Sequence, residues 1–129
     1  MLRTALTTAT DYVRDRTAFG GRIADLQAVR FSLADVATDL EASRMLTYRA
    51  AQLLQSEQPG AVAAAHAKKF ATRAAERHIA SCMQVMGAAG ARRDHPLPRH
   101  LANARLTHYL DGATELQGVV VRRKRPDRR

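Results

Sequence analysis

The strongest constraint on this chain is an apolar stripe, Leu26, Val29, Leu33, Val36 and Leu40, that repeats at steps of three and four residues. It continues less strictly through Leu46, Ala50, Leu53 and Leu54. Such alternation keeps side chains on one face of an α-helix, so the spacing predicts one amphipathic helix from about Ala24 to Gln55. About 30 residues at a rise of ~1.5 Å make roughly 45 Å, longer than most globular helices and suited to the spine of a bundle. Pro59-Gly60 breaks the pattern. A second long segment, from about Ala61 to Met86, sets Ala67, Phe70, Ala74, His78, Cys82 and Met86 along one face. The turn between the two segments is short, which makes them antiparallel neighbours.

Shorter segments flank this pair. Ala5, Leu6, Ala9, Tyr12 and Val13 give helical spacing over about Arg3 to Arg16, ahead of a break at Phe19-Gly20-Gly21. No capping residue precedes that helix, so it reads as the tail end of a longer one. Gly87-Ala88-Ala89-Gly90 ends the second long helix, and Arg92 to Pro98 reads as a polar loop with prolines at 96 and 98. Helices then follow over about Arg99 to His108 and Thr114 to Arg123, and no strand-period segment of useful length occurs. The expected fold is all-α, an antiparallel up-and-down bundle of four-helix type over residues 1–121, followed by a basic, disordered tail at 122–129. Its expected core includes Leu33, Val36, Leu40, Phe70, Ala74 and Met83.

A chain of 129 residues with abundant alanine, no tryptophan and four prolines outside the long periodic segments suits one helical domain. The net charge of +9 suggests nucleic acid until it is mapped. Six basic residues against Asp127 give residues 122–129 a net +5 and leave the body only +4. No aromatic side chains interleave with the basic ones to stack on bases, so a nucleic-acid-associated bundle is the weakest reading. The lone Cys82 lies among Ile79, Met83 and Met86 as a small core residue and implies no oxidising compartment, so the cytoplasm is expected. It has no base to activate it as a nucleophile. No apolar run reaches the roughly 18 residues of a membrane span. The histidines at 95, 100 and 108 lack the spacing of a metal motif, and Gly87-x-x-Gly90 lacks the preceding strand of a dinucleotide fingerprint.

The stretch Tyr109-Leu110-Asp111-Gly112-Ala113-Thr114-Glu115-Leu116-Gln117 ends one helix, turns at a glycine and opens the last helix. Locally, Asp111 or Thr114 reads as a helix cap, since a carboxylate is favoured beside free N–H groups. In order along the chain, several fragments resemble the C-terminal helical domain of the acyl-CoA dehydrogenases. They are Tyr12 to Gly20, Ile23 with Gln27, Leu33-Ala34-Asp35, Leu40 to Arg44, Gln84 to Gly90, Pro96 with Arg99, Asn103-Ala104-Arg105, and Asp111 to Gln117. Together they cover roughly residues 5 to 123.

The resemblance implies FAD-dependent α,β-dehydrogenation of an acyl-CoA thioester, in which a carboxylate removes an α-proton while the β-carbon gives a hydride to the flavin. It carries the catalytic carboxylate onto Asp111 and flavin contacts onto Arg16, Phe19, Gln27, Gln84 and Gly87; no metal is expected, on the histidine spacing above. Because these contacts in the family often reach a neighbouring subunit's flavin, it also implies a homo-oligomer or a complementary dehydrogenase chain as partner. The departures are specific: Asp111 stands for glutamate, Ala113 for threonine, Leu110 for tyrosine and Ala88 for glycine. The chain has no room for the family's N-terminal helical and central β domains. A split or excised dehydrogenase piece, inactive alone, is therefore the first expectation, and a non-catalytic interaction module derived from it the second.

Overall fold

Ala61–Met86 forms the helix α3, and every other helix packs against it. The sequence explains why: alanine is the best helix former and its small side chain admits neighbours on several sides. Ala65, Ala67 and Ala74 are buried, and Ala63, Ala64, Ala71 and Ala75 are half-buried. The structure is a computed structural model that describes residues 1–123. The expected tail at 122–129 lies, from residue 124 on, outside the described residues.

Around α3 stand α1 (Leu2–Asp15), α2 (Gln27–Gln55), α4 (Pro96–Leu106) and α5 (Thr114–Arg123). The fold is the all-α bundle expected from the spacing, with α2 and α3 antiparallel across Ser56–Gly60. Between α1 and α2 the chain adds a two-residue-per-strand hairpin, β1 (Thr17–Ala18) and β2 (Gly21–Arg22), and a 3-10 turn at Ile23–Asp25. The expected start of α2 at Ala24 moves to Gln27 because Ile23–Asp25 winds as this tighter turn, ended by Leu26 in an extended conformation. Pro96 and Pro98 belong to the first turn of α4 and not to the loop expected for them. Proline is tolerated there because a first-turn N–H has no helical partner to lose.

The centre of the core also moves from the expected place. Fully buried side chains come from α1 (Ala5, Ala9, Val13), α3 (Ile79, Cys82) and α4 (Leu97, Ala104), with Val36 from α2. Val36 and Ala74 are buried as expected, whereas Leu33, Leu40 and Met83 only flank the core. Phe70 is half-buried and lines a cavity of about 330 Å³ between α2 and α3. The physical reason is that α2 lies at the margin of the bundle. It covers one side of α3 and leaves Phe31, Met45, Tyr48 and Leu54 more than half exposed. Buried His78 ties the two helices together, its Nε2 lying 2.7 Å from Asp39 Oδ2. No helix of the described residues is long and apolar enough to cross a membrane.

Candidate functional site

The turn that carries Asp111 is built from both of its sides. After α4 the chain continues in tight turns, with His108 N–H on Arg105 O at 3.2 Å and Tyr109 N–H on Leu106 O at 3.0 Å. It then reverses through two consecutive left-handed residues, Asp111 (φ 53°) and Gly112 (φ 88°). Aspartate is among the few non-glycine residues that tolerate this region, and such conformations gather at functional sites. Thr114 N–H donates to His108 O at 3.1 Å and closes the loop. The Asp111 carboxylate caps nothing: it is exposed and has no side-chain hydrogen bond among the described residues. Tyr109, Leu110 and Leu116, close to Asp111 along the chain, are also exposed.

Two supports of this turn were not read from the sequence. Lys68 Nζ donates to Thr107 O at 2.5 Å and to Leu110 O at 2.7 Å. Glu76 on α3 holds Arg105 Nη1 at 3.0 Å and has His108 Nε2 3.1 Å away, off the line of a hydrogen bond, while His108 Nδ1 lies 3.1 Å from the buried Thr114 hydroxyl. In the sequence Lys68 stands outside the apolar stripe of α3 and gives no sign of these partners.

The expected flavin-contact residues lie at the other end of the bundle. Arg16 ends α1, with its N–H on Tyr12 O and its carbonyl accepting from Ile23 N–H, and its guanidinium is exposed with no ion pair among the described residues. Phe19 (φ 55°) and Gly20 (φ 83°) form the hairpin turn, the double left-handed signature of a type I′ turn. Asparagine, aspartate or glycine is usual at the first of these positions, yet the chain spends it on a phenylalanine that is 92% exposed. Gln27 opens α2, Gln84 is exposed on the last turn of α3, and Gly87 ends α3 at φ 58° and ψ −141°, donating its N–H to Gln84 O. A Cβ placed on Gly87 would meet nothing within 4 Å, so its requirement for glycine is conformational. At Gly90 the requirement is spatial, because a Cβ would stand 2.8 Å from Met83 O.

The structure therefore brings Arg16, Phe19, Gln27, Gln84 and Gly87 to one end and sets Asp111 apart from them. The Asp39–His78 contact fixes the register of α2 on α3 and places Gln27 level with the end of α3. Lys68, which grips the Asp111 turn, precedes Gly87 by 19 residues of α3. At ~1.5 Å per residue the two groups stand about 28 Å apart along the helix axis. Among the described residues no group of three or more His, Cys, Asp or Glu side chains is arranged to hold a metal ion. Cys82 is buried, and burial pushes its thiol up to about 11, which leaves it an inert core residue.

A helical domain with a carboxylate-bearing turn at one end and an exposed cation and aromatic at the other defines the class. Residues 1–124 match the family described as acyl-CoA dehydrogenase, C-terminal domain, and the chain belongs to that family. The bovine mitochondrial short-chain specific acyl-CoA dehydrogenase is 41% identical over 117 residues, covering 91% of this chain and 28% of that protein. The short-chain specific enzyme of Megasphaera elsdenii is 35% identical over 116 residues, 90% of this chain and 30% of that protein. The solved butyryl-CoA dehydrogenase of Megasphaera elsdenii superposes with a TM-score of 0.91 at 34% identity, over 93% of this chain and 31% of that one. The FAD complex of PigA superposes with a TM-score of 0.92 at 27% identity, over 95% and 32%. The chain thus spans less than a third of the length of these relatives.

Proposed function

We propose that this chain is the C-terminal helical part of an FAD-dependent dehydrogenase acting on a short-chain acyl-CoA thioester, and that it works in an oligomer or with a complementary chain. The observation that carries this reading is the separation of about 28 Å along α3 between the Asp111 turn and the Arg16–Phe19–Gly87 end. One flavin cannot touch both groups in one copy, so each chain serves two flavin sites, offering its base to one and its hairpin to the other.

The residues fit such a cofactor. Arg16 offers an exposed guanidinium, without an ion pair among the described residues, of the kind that grips a diphosphate, Phe19 an exposed ring, and Gly87 a notch free of side chain. Bound FAD supplies the acceptor for the hydride that leaves the β-carbon. Asp111 takes the α-proton onto a carboxylate oxygen, and the electrons of the Cα–H bond become the second bond between Cα and Cβ. Its arm is one methylene shorter than glutamate, and a misplacement near 1 Å costs about a hundredfold in rate. The exposed Tyr109, Leu110 and Leu116 would seal the reacting carbons from water once covered by the other domains. The relatives' names point to short acyl chains. The unpaired Cys82 keeps the cytoplasm as the expected compartment, although the bovine relative is mitochondrial.

The chain alone is expected to retain no FAD and oxidise nothing, since a one-sided site lacks the burial that holds most cofactors. Reconstitution with a chain carrying the family's N-terminal and β domains, FAD and butyryl-CoA would be followed by bleaching of the flavin. Asp111→Asn should abolish it and Asp111→Glu should match or raise it. Undiminished bleaching by Asp111→Asn would place the base elsewhere. The second reading, a non-catalytic interaction module, is favoured by the shortened acid at 111 and would be supported if no partner restored turnover.

A further inference from the structure

We propose that Lys68 is the positioning residue of the Asp111 turn, setting the direction in which that carboxylate points; the inference rests on the reading of Asp111 as the base. Lys68 projects from α3, the helix that every other helix packs against, so its ammonium is anchored by the most constrained element of the fold. It donates to Thr107 O at 2.5 Å and to Leu110 O at 2.7 Å. The first carbonyl lies at the C-terminal end of α4, where a cation also meets the negative end of the helix dipole. The second belongs to the peptide unit that joins Leu110 to Asp111. Fixing that carbonyl fixes the plane carrying the Asp111 nitrogen, and rotation about the next bond is the φ angle that stands at 53°. Charge-assisted hydrogen bonds to two carbonyls three residues apart hold the chain bent between them and favour the left-handed residue that follows. A neutral side chain at 68 would leave both carbonyls without this partner and let Asp111 relax toward ordinary backbone, swinging the carboxylate away. The Glu76–Arg105 contact keeps α4 on α3 when Lys68 is lost, so the effect falls on the turn.

The test has two arms. In the isolated chain, Lys68→Met is examined by amide hydrogen exchange at Thr114, whose N–H closes the turn on His108 O, and by the carbon shifts of Asp111, which report its φ. Exchange should quicken at least about tenfold and the left-handed shifts should be lost, with helix protection in α3 unchanged. In the reconstituted dehydrogenase the same variant should lower kcat by about a hundredfold while KM for the thioester stays within about twofold. Lys68→Cys alkylated with bromoethylamine restores an ammonium at nearly the original length and should recover both readouts, buried Cys82 being spared. Lys68→Gln gives the same measurements should Met weaken the fold. Unchanged exchange at Thr114 together with unchanged shifts at Asp111 would overturn the proposal. So would a disturbed turn with full kcat in an enzyme that Asp111→Asn inactivates. If Asp111→Asn leaves turnover intact, the assignment of the base fails and the positioning role falls with it, while the exchange arm still shows whether Lys68 shapes the turn.

Discussion

Truncating Ile79 and Leu40 to alanine, one at a time, separates the core observed here from the one that the apolar stripe of α2 suggests. Ile79 has 0% of its surface exposed and packs amid α1, α2 and α4 residues, so Ile79→Ala leaves a closed cavity. Such changes cost about 2–5 kcal/mol. Leu40 only flanks the core, and shortening it opens a dent that water fills. It forfeits part of a transfer term of about 0.8 kcal/mol per methylene, and we expect about 1 kcal/mol. With a urea slope of about 1–3 kcal/mol/M, a loss near 3 kcal/mol moves the midpoint by about 1–3 M, and a loss near 1 kcal/mol by well under about 1 M in the steeper cases. Urea titrations followed by helical circular dichroism would read both. If Leu40→Ala proves as costly as Ile79→Ala, α2 is more deeply packed than this structure shows and the placement of the core on α1, α3 and α4 is wrong.

The remaining predictions concern single positions. Burial raises the Cys82 thiol from 9.0 to about 11, so the folded chain holds that proton more tightly than the unfolded one. Its contribution to stability is complete below about pH 9 and lost as pH rises through about 11, which urea midpoints across that window would show. Native alkylation of Cys82 at pH 8 should be negligible until denaturant is added. Gly90→Ala should cost roughly 1–3 kcal/mol because its Cβ would press on Met83 O at 2.8 Å, and a thermal melt unmoved by the change would contradict that packing. Phe19→Asn should stabilise the isolated chain by about 1 kcal/mol, since asparagine suits φ 55°, yet weaken flavin retention in the reconstituted complex. A thermal melt and the flavin content after gel filtration measure the two effects.

What the sequence made legible follows the range over which each cause acts. The five helices were readable because periodicity is local, and Pro59-Gly60 and Gly87 mark their ends. The burial ranking was not, because the stripe of α2 states only that one face is apolar and is silent on how much of it a neighbour covers. Leu40 and Leu54 both belong to that stripe, yet one flanks the core and the other is 61% exposed. The hairpin escaped because two-residue strands carry no alternation to detect, although Phe19-Gly20 already marked a break.

At the candidate site the same limit applies to distance. Asp111, Arg16 and Phe19 could each be picked out by likeness to a family pattern. Their placement at opposite ends of α3 depends on the register between α2 and α3, which the Asp39–His78 contact fixes across 39 residues of sequence. Lys68 belongs to that long-range class too, reaching carbonyls 39 and 42 residues away. A lysine touching backbone oxygens leaves no pairwise side-chain signature in one sequence, because any residue at 107 or 110 presents the same carbonyl. The shape of a turn that aims a carboxylate is thus governed here by a side chain whose partners are chemically invisible in the sequence, and three-dimensional placement alone reveals it.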